Sequence, residues 1–190
     1  MSESTPILTL SQVSIGFPGE LPLLTGIDFE AYAGEVIGLV GVSGIGKTTF
    51  LRTLAGQVPL MAGDVEIFGF DDIRSAPRGS IGYIPQRRGL VHHQTVGYNV
   101  LMGALPKATR WQTLLALPSS EMRKSTRAAV AAVDLEEKIL EPVSQLSGGQ
   151  QRRVAVARSL VQKPRLLLAD ECLGELDITT SEVVAEQLIH

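Results

Sequence analysis

Alternation of apolar and polar residues governs the start of the chain. From Ile7 to Ile15, Leu8, Leu10 and Val13 alternate with Thr9, Ser11 and Ser14, which predicts a strand with one buried face. The cluster Phe17-Pro18-Gly19-Glu20-Leu21-Pro22 breaks it with a turn. Strand character resumes over Leu24 to Ala31, with Ile27 and Phe29, and Gly34 leads into the apolar run Val36 to Val40, read as a buried strand. Phe50 to Ala55 has the apolar spacing of a helix, with Gly56 as its C-terminal stop. Short strands are expected at Val65–Phe68 and in Ile81-Gly82-Tyr83-Ile84-Pro85-Gln86, the second ending at Pro85 because proline cannot donate to a ladder. From Thr95 to about Val133 the pattern turns helical, best over Glu121–Val133, where Met122, Ala129, Val130 and Val133 make a partial apolar face. A helix comes next over Gln151–Val161, with Val154, Val156, Ala157 and Leu160 on its buried side. Then come a strand at Arg165–Ala169 and a helix over Thr179–His190. The sum is a mixed α/β core interrupted by a mostly helical insertion.

The first strong chemical signal lies between the Val36–Val40 run and the helix after it: Gly41-Val42-Ser43-Gly44-Ile45-Gly46-Lys47-Thr48-Thr49. Strand, glycine-rich turn and helix, in that order, is the setting a phosphate-binding loop needs. Gly41, Gly44 and Gly46 let the backbone turn its N–H groups inward with no Cβ in the way. A helix starting near Lys47 adds the positive end of its dipole. Lys47 can then reach terminal phosphates, and the Thr48 hydroxyl can hold Mg²⁺. The complete G-x-x-x-x-G-K-T spacing with both flanks in place implies a bound nucleoside triphosphate.

Composition narrows the class without changing that picture. The chain has 190 residues, enough for one domain with a sizeable core. Its 17 basic and 20 acidic residues give a net charge of −3, so no basic field argues for nucleic acid. A single cysteine, Cys172, excludes an internal disulfide. No apolar run approaches the roughly 18 residues of a membrane span, and Leu101–Leu117 is interrupted by Pro106 and carries Lys107 and Arg110. The N-terminal residues show neither the basic nor the apolar region of a signal peptide.

Two further stretches carry chemistry. Leu166-Leu167-Leu168-Ala169-Asp170-Glu171 is an apolar strand ending in two carboxylates. Strands of α/β sheets deliver residues at their C-terminal ends to the ligand crevice. Asp170 is therefore placed to hold Mg²⁺ and Glu171 to orient and polarise a water near the γ-phosphate. Leu146-Ser147-Gly148-Gly149-Gln150 opens a helix, and Ser147 and Gln150 have the spacing of a capping box. A well-capped helix is one reading. The glycine pair supports another, because two glycines in a first turn cost helix stability but let an anion approach the amides closely. Trp111 reads as a packing anchor or a partner contact, and His92 and His93 as solvated loop residues or a metal pair.

Together these motifs resemble the nucleotide-binding subunit of an ATP-binding cassette (ABC) transporter, with LSGGQ at 146–150 as that family's signature. The resemblance implies one ATP-binding domain with a P-loop NTPase core of mixed sheet and flanking helices. Residues 1–86 would form an antiparallel β subdomain with the core, and 87–146 a helical signature subdomain. Residues 147–190 would carry the signature helix, the Asp170 strand and the helix after it. It implies ATP and Mg²⁺ as ligands, Glu171 as general base, and Asp170, Thr48 and Gln86 around the metal, with Gln86 coupling the core to the insertion. Phe17 takes the place of an aromatic ring that stacks on adenine, and Asp177 closes the loop after the base at the dimer interface. It further implies a head-to-tail dimer, each nucleotide held between one copy's phosphate loop and the other's Ser147, Gly149 and Gln150. Transmembrane permease subunits and a solute-binding protein would be partners, nucleic acid would not, and the chain would lie at the cytoplasmic face of the cell membrane.

Two departures stand out. Cys172-Leu173-Gly174-Glu175-Leu176-Asp177 replaces the family's usual Pro-Thr-Ser-Ala-Leu-Asp, which bears on coupling between copies. The family's switch histidine, expected well beyond Glu171, has no counterpart before His190, so the expectation is a chain that is truncated or impaired in hydrolysis. Gly89-Leu90-Val91 and Thr95-Val96-Gly97-Tyr98-Asn99-Val100 resemble the phosphonate-type importer subunits. The alternatives are a non-transport ABC ATPase of repair or translation, disfavoured by the short insertion and single cassette, and an ATP-binding fragment with little hydrolysis.

Overall fold

A computed structural model describes residues 5–86, 89–107 and 118–170. Trp111, Glu171, the segment Cys172–Asp177 and the expected helix over Thr179–His190 lie outside the described residues. The chain divides into two compact units, Met1–Pro77 and Arg78–His190.

The first unit is built on an antiparallel sheet of order β2-β1-β3, with β1 over Leu8–Ile15, β2 over Leu24–Ala31 and β3 over Ala62–Ile67. Leu8 and Leu10 face the core, as do Val13 and Ile15, so the inward parity changes in the middle of β1. A bulge at Ser11–Gln12 makes the change, and register shifts appear there against both neighbouring strands. Gln12 adopts φ 51°, and its N–H donates to Asp28 Oδ1 at 2.8 Å. Gly63 of β3 sits opposite, where a Cβ would come within 2.5 Å of the Gln12 carbonyl oxygen, so the bulge requires glycine there. Helix α1, Lys47–Leu54, buries Phe50, Leu51 and Leu54 and ends where Gly56 turns left-handed at φ 71°.

One expectation fails in this unit. Val36–Val40 forms no strand and joins no ladder among the described residues; Val36 is 75% exposed and Val40 98%. An apolar run states a preference for burial, but a strand exists only where another strand offers its backbone.

The second unit combines a parallel pair with a helical cluster. Strands β4, Ile81–Ile84, and β5, Leu166–Ala169, pair from Ile81↔Leu166 to Ile84↔Ala169. Helices α2, Val96–Met102, α3, Ser120–Ala131, and α4, Gly148–Gln162, share one core. Val96, Val100, Val130, Val154, Val156 and Ala157 are among its most enclosed side chains, and Ile84 of β4 joins them. Nearly every residue of α4 from Val154 to Val161 is buried, so this helix is enclosed on most sides rather than amphipathic. The two ends of the insertion are stitched together by backbone bonds from Val96 N–H to Glu141 O, Gly97 N–H to Ile139 O and Val143 N–H to Gln94 O.

Asn99, 1% exposed, organises the loop ahead of α2. Its Oδ1 accepts from Val91 N–H at 2.8 Å, and its Nδ2 donates to the carbonyls of Val91 at 3.1 Å and Thr95 at 3.0 Å. Removing the amide takes the partner from three part-buried backbone groups, and an unmet group costs up to about 1–3 kcal/mol when water cannot reach it. Asn99→Ala should therefore lower the urea midpoint by the equivalent of about 2–3 kcal/mol with unchanged denaturant slope; an unmoved midpoint would show that water replaces the amide.

Candidate functional site

Helix starts show where this chain leaves room for an anion. The first four N–H groups of an α-helix have no partner inside it. Thr95 caps α2 through Tyr98 N–H, Ser119 caps α3 through Met122 N–H, and Ser147 caps α4 through Gln150 N–H. Among the described α-helices α1 differs: Gly46 stands at its N-cap and supplies no side-chain cap. The first bond of α1 runs from Phe50 N–H to Gly46 O, so the amides of Gly46 to Thr49 lie ahead of its ladder. No acidic side chain occupies that first turn. Gly46 holds φ 111° and Gly44 φ 82°, both in the left-handed region that favours glycine.

Lys47 folds back over the loop. Its Nζ donates to the carbonyls of Gly41 at 2.8 Å and Val42 at 3.0 Å, which closes the loop into a ring and leaves a third N–H on the ammonium. Ser43 and Gly44 form the exposed turn, and a Cβ on Gly44 would meet nothing within 4 Å, so the turn is open at that residue. Thr48 is half-buried, while the Thr49 side chain turns into the core. What Thr49 can offer an anion is its amide. The Phe17 ring, 41% exposed, lies in the turn after β1. A cleft of about 430 Å³ in the same unit, lined by Thr53, Val58, Asp64, Asp71, Asp72 and Arg74, contains none of these residues.

In the second unit, β4 and β5 end level, and the chain leaves both strands at the same edge of the ladder. Asp170 comes one residue after β5, 3% exposed, its N–H bonded to Ile84 O at 3.0 Å. Gln86 comes two residues after β4 and is exposed. The Tyr83 hydroxyl donates to Asp170 Oδ2 at 3.4 Å. A buried carboxylate is the kind of hard oxygen donor that Mg²⁺ takes alongside phosphate oxygens. Glu171, the expected base, and Asp177 lie outside the described residues.

The start of α4 carries the full capping box. Gln150 N–H donates to Ser147 Oγ at 3.3 Å, and Ser147 N–H donates to Gln150 Oε1 at 2.9 Å. The Ser147 hydroxyl accepts in this cap and so keeps its own proton for another acceptor. A Cβ on Gly149 would meet nothing within 4 Å, so the fold of this chain does not demand glycine there. Arg158 of α4 reaches the loop after Gln86, where Nη1 donates to Gly89 O at 2.8 Å; burial pulls the basicity of this guanidinium down. His92 and His93 are exposed, and no cluster of three or more His, Cys, Asp or Glu that could hold a metal occurs among the described residues.

A profile described as ABC transporter matches residues 24–174, from β2 through the loop, the insertion and β5. The chain belongs to the ABC transporter family. This ABC-family chain is 40% identical to the phosphonates import ATP-binding protein PhnC 2 of Nostoc sp., over 88% of its own length and 69% of that protein's. It is 37% identical to the phosphonates import ATP-binding protein PhnC of Bdellovibrio bacteriovorus, over 99% and 75%. Among solved structures it is similar to an ATP-binding cassette described as a dimer in a post-hydrolysis state bound to ADP and Pi. The identity there is 28% and the TM-score 0.79, covering 95% of this chain and 81% of that one. The ABC fold expected from the motifs is thus the observed one. No helix among the described residues is long and apolar enough to cross a membrane.

Sequence reasoning missed Tyr83, Asn99 and Arg158. Each acts through a partner brought close only by the fold, so strand register or packing is needed to expose it.

The two glycines at helix starts should separate fold from function. Gly149→Ala should leave the melting temperature unchanged or raise stability by about 0.5–1 kcal/mol, since alanine favours the helix and meets no neighbour. Gly46→Ala, forced into φ 111°, should destabilise by about 1–3 kcal/mol. Thermal melts compare the pair directly, and equal losses would overturn the assignment of open space at Gly149.

Proposed function

We propose that this chain is the ATP-binding and ATP-hydrolysing subunit of an ABC importer of the phosphonate type. The observation that carries the nucleotide reading is the glycine-capped start of α1, the one described α-helix start with no Ser or Thr cap, closed over by the Lys47 ammonium. The names of the two relatives, both phosphonates import ATP-binding proteins, support the transport class.

In this reading the chain folds as one ATP-binding domain. The amides from Gly44 to Thr49, with Gly41 and Ser43 shaping the turn, bind the phosphates, Lys47 reaches the terminal ones and Phe17 stacks on adenine. Thr48, Asp170 and Gln86 would hold Mg²⁺, which neutralises charge on the β- and γ-phosphate oxygens when bound. Glu171 takes the proton of a water as that water's oxygen bonds the γ-phosphorus and the bond to the β–γ bridging oxygen breaks. ADP and inorganic phosphate leave. Ser147, Gly149 and Gln150 of a second copy, with Asp177 at the same junction, cap the nucleotide in a head-to-tail dimer. The open space at Gly149 and the spare proton on Ser147 favour that role. Closure of such a dimer would move permease subunits through the helical insertion, at the cytoplasmic face of the membrane. A solute-binding protein would deliver the cargo.

Two variants test the phosphate loop and the sandwich separately. Lys47→Ala should weaken binding of Mg·ATP by about ten- to hundredfold, the value of a hydrogen bond to a charged group; titration calorimetry reads it, and unaltered affinity would refute the phosphate loop. Ser147→Arg should leave nucleotide binding by the single chain intact and abolish ATP-driven dimerisation in light scattering. A variant that still dimerises would refute the sandwich.

A further inference from the structure

Strand β5 delivers the Asp170 carboxylate to the end of the ladder, but backbone alone leaves rotation about its Cβ–Cγ bond undetermined. We propose that Tyr83 is the positioning residue that fixes it, an inference resting on the reading of Asp170 as a magnesium carboxylate.

In a parallel pair, residues in register share a face, and alternate residues along a strand return to it. Tyr83 pairs with Leu168, and Asp170 lies two residues beyond Leu168, so Tyr83 and Asp170 stand on the same face. The long phenol spans the offset along the strand, and its hydroxyl donates to Asp170 Oδ2 at 3.4 Å. The main chain at Asp170 is pinned independently, by its N–H to Ile84 O at 3.0 Å. With backbone anchored and one carboxylate oxygen in contact with the phenol, rotation of the carboxylate is restricted. An ionised carboxylate offers about four lone-pair directions, so a phenol donor and a cation shell are compatible on one group. At 3% exposure Asp170 is largely shielded from bulk water.

This positioning matters most for a cation that is strict about angle. Mg²⁺ demands near-ideal octahedral geometry, whereas Ca²⁺ accepts six to eight oxygens in flexible arrangements. Losing the phenol proton should thus be felt by Mg²⁺ and barely by Ca²⁺, a signature that loss of ring packing would not give. Tyr83→Phe removes the hydroxyl and keeps the ring.

The test uses the full chain and a nonhydrolysable ATP analogue, whose affinity is measured as Mg²⁺ or Ca²⁺ is titrated in. Tyr83→Phe should raise the Mg²⁺ midpoint by about three- to tenfold. The Ca²⁺ midpoint and the metal-free affinity for the analogue should each stay within about twofold. Asp170→Asn, run alongside, should raise both metal midpoints. If Asp170→Asn moves them and Tyr83→Phe moves neither, or moves both together, Tyr83 does not position the carboxylate. If Asp170→Asn moves neither, the assignment of Asp170 to the metal is itself wrong, and the role of Tyr83 falls with it.

Discussion

Amides at the start of an α-helix must find a partner outside the helix, and this chain answers the requirement in two ways. Threonine or serine stands at the N-cap of α2, α3 and α4, and each accepts from an amide one turn on. At α1 the cap is a glycine with φ 111°, which can enter the helix from a left-handed conformation but has no side chain to give. The positive end of α1 therefore faces outward, toward whatever anion arrives. Lys47 adds a formal charge in the same place, and its bonds to the Gly41 and Val42 carbonyls keep the loop closed while that charge waits. The rest of the proposed chemistry presupposes this one exposed helix end.

The second unit solves a different problem, holding several side chains of the proposed site in fixed relation. The parallel pair gives β4 and β5 a common end, so Gln86 and Asp170 leave it together. The signature helix α4 is enclosed by the same apolar side chains that hold α2 and α3. Close-packed protein interiors have low compressibility and transmit strain. A push on the insertion would consequently move the Ser147 end of α4 with it. Arg158 extends the connection to the loop after Gln86, since a guanidinium bonded to Gly89 O ties that loop to the helix. In the proposed transport cycle, coupling between a bound nucleotide and a membrane partner would need such a body, and these elements share a single core.

Whether an element is legible in the sequence depends on how far away its determinants lie. Strands β1, β2, β4 and β5 and helices α1, α3 and α4 are legible because their periodicity is local, and the phosphate loop and signature because their spacings are. The parity change in β1 is not, since Ser11–Gln12 look like an ordinary polar step until Asp28 and Gly63 are seen opposite. Val36–Val40 misleads for the converse reason: the residues suit a strand, but pairing is a property of two segments. Tyr83 is invisible because its relation to Asp170 exists only through the β4–β5 register.

At Ser147 a helix cap and an anion contact look like rivals for one hydroxyl, yet a hydroxyl has both lone pairs and a proton. Accepting from Gln150 N–H uses a lone pair and orients the side chain, and the proton remains for an oxygen beyond the chain. Gly149 then separates what the fold requires from what a partner would require. Stability alone would favour alanine there, because the position is helical and a Cβ meets no neighbour. A glycine that its own fold does not need is explained if another surface must come close to that turn. The same residues thus give the helix a stable start and keep its first turn open to contact, so the cap and the proposed nucleotide contact of LSGGQ are compatible in one geometry.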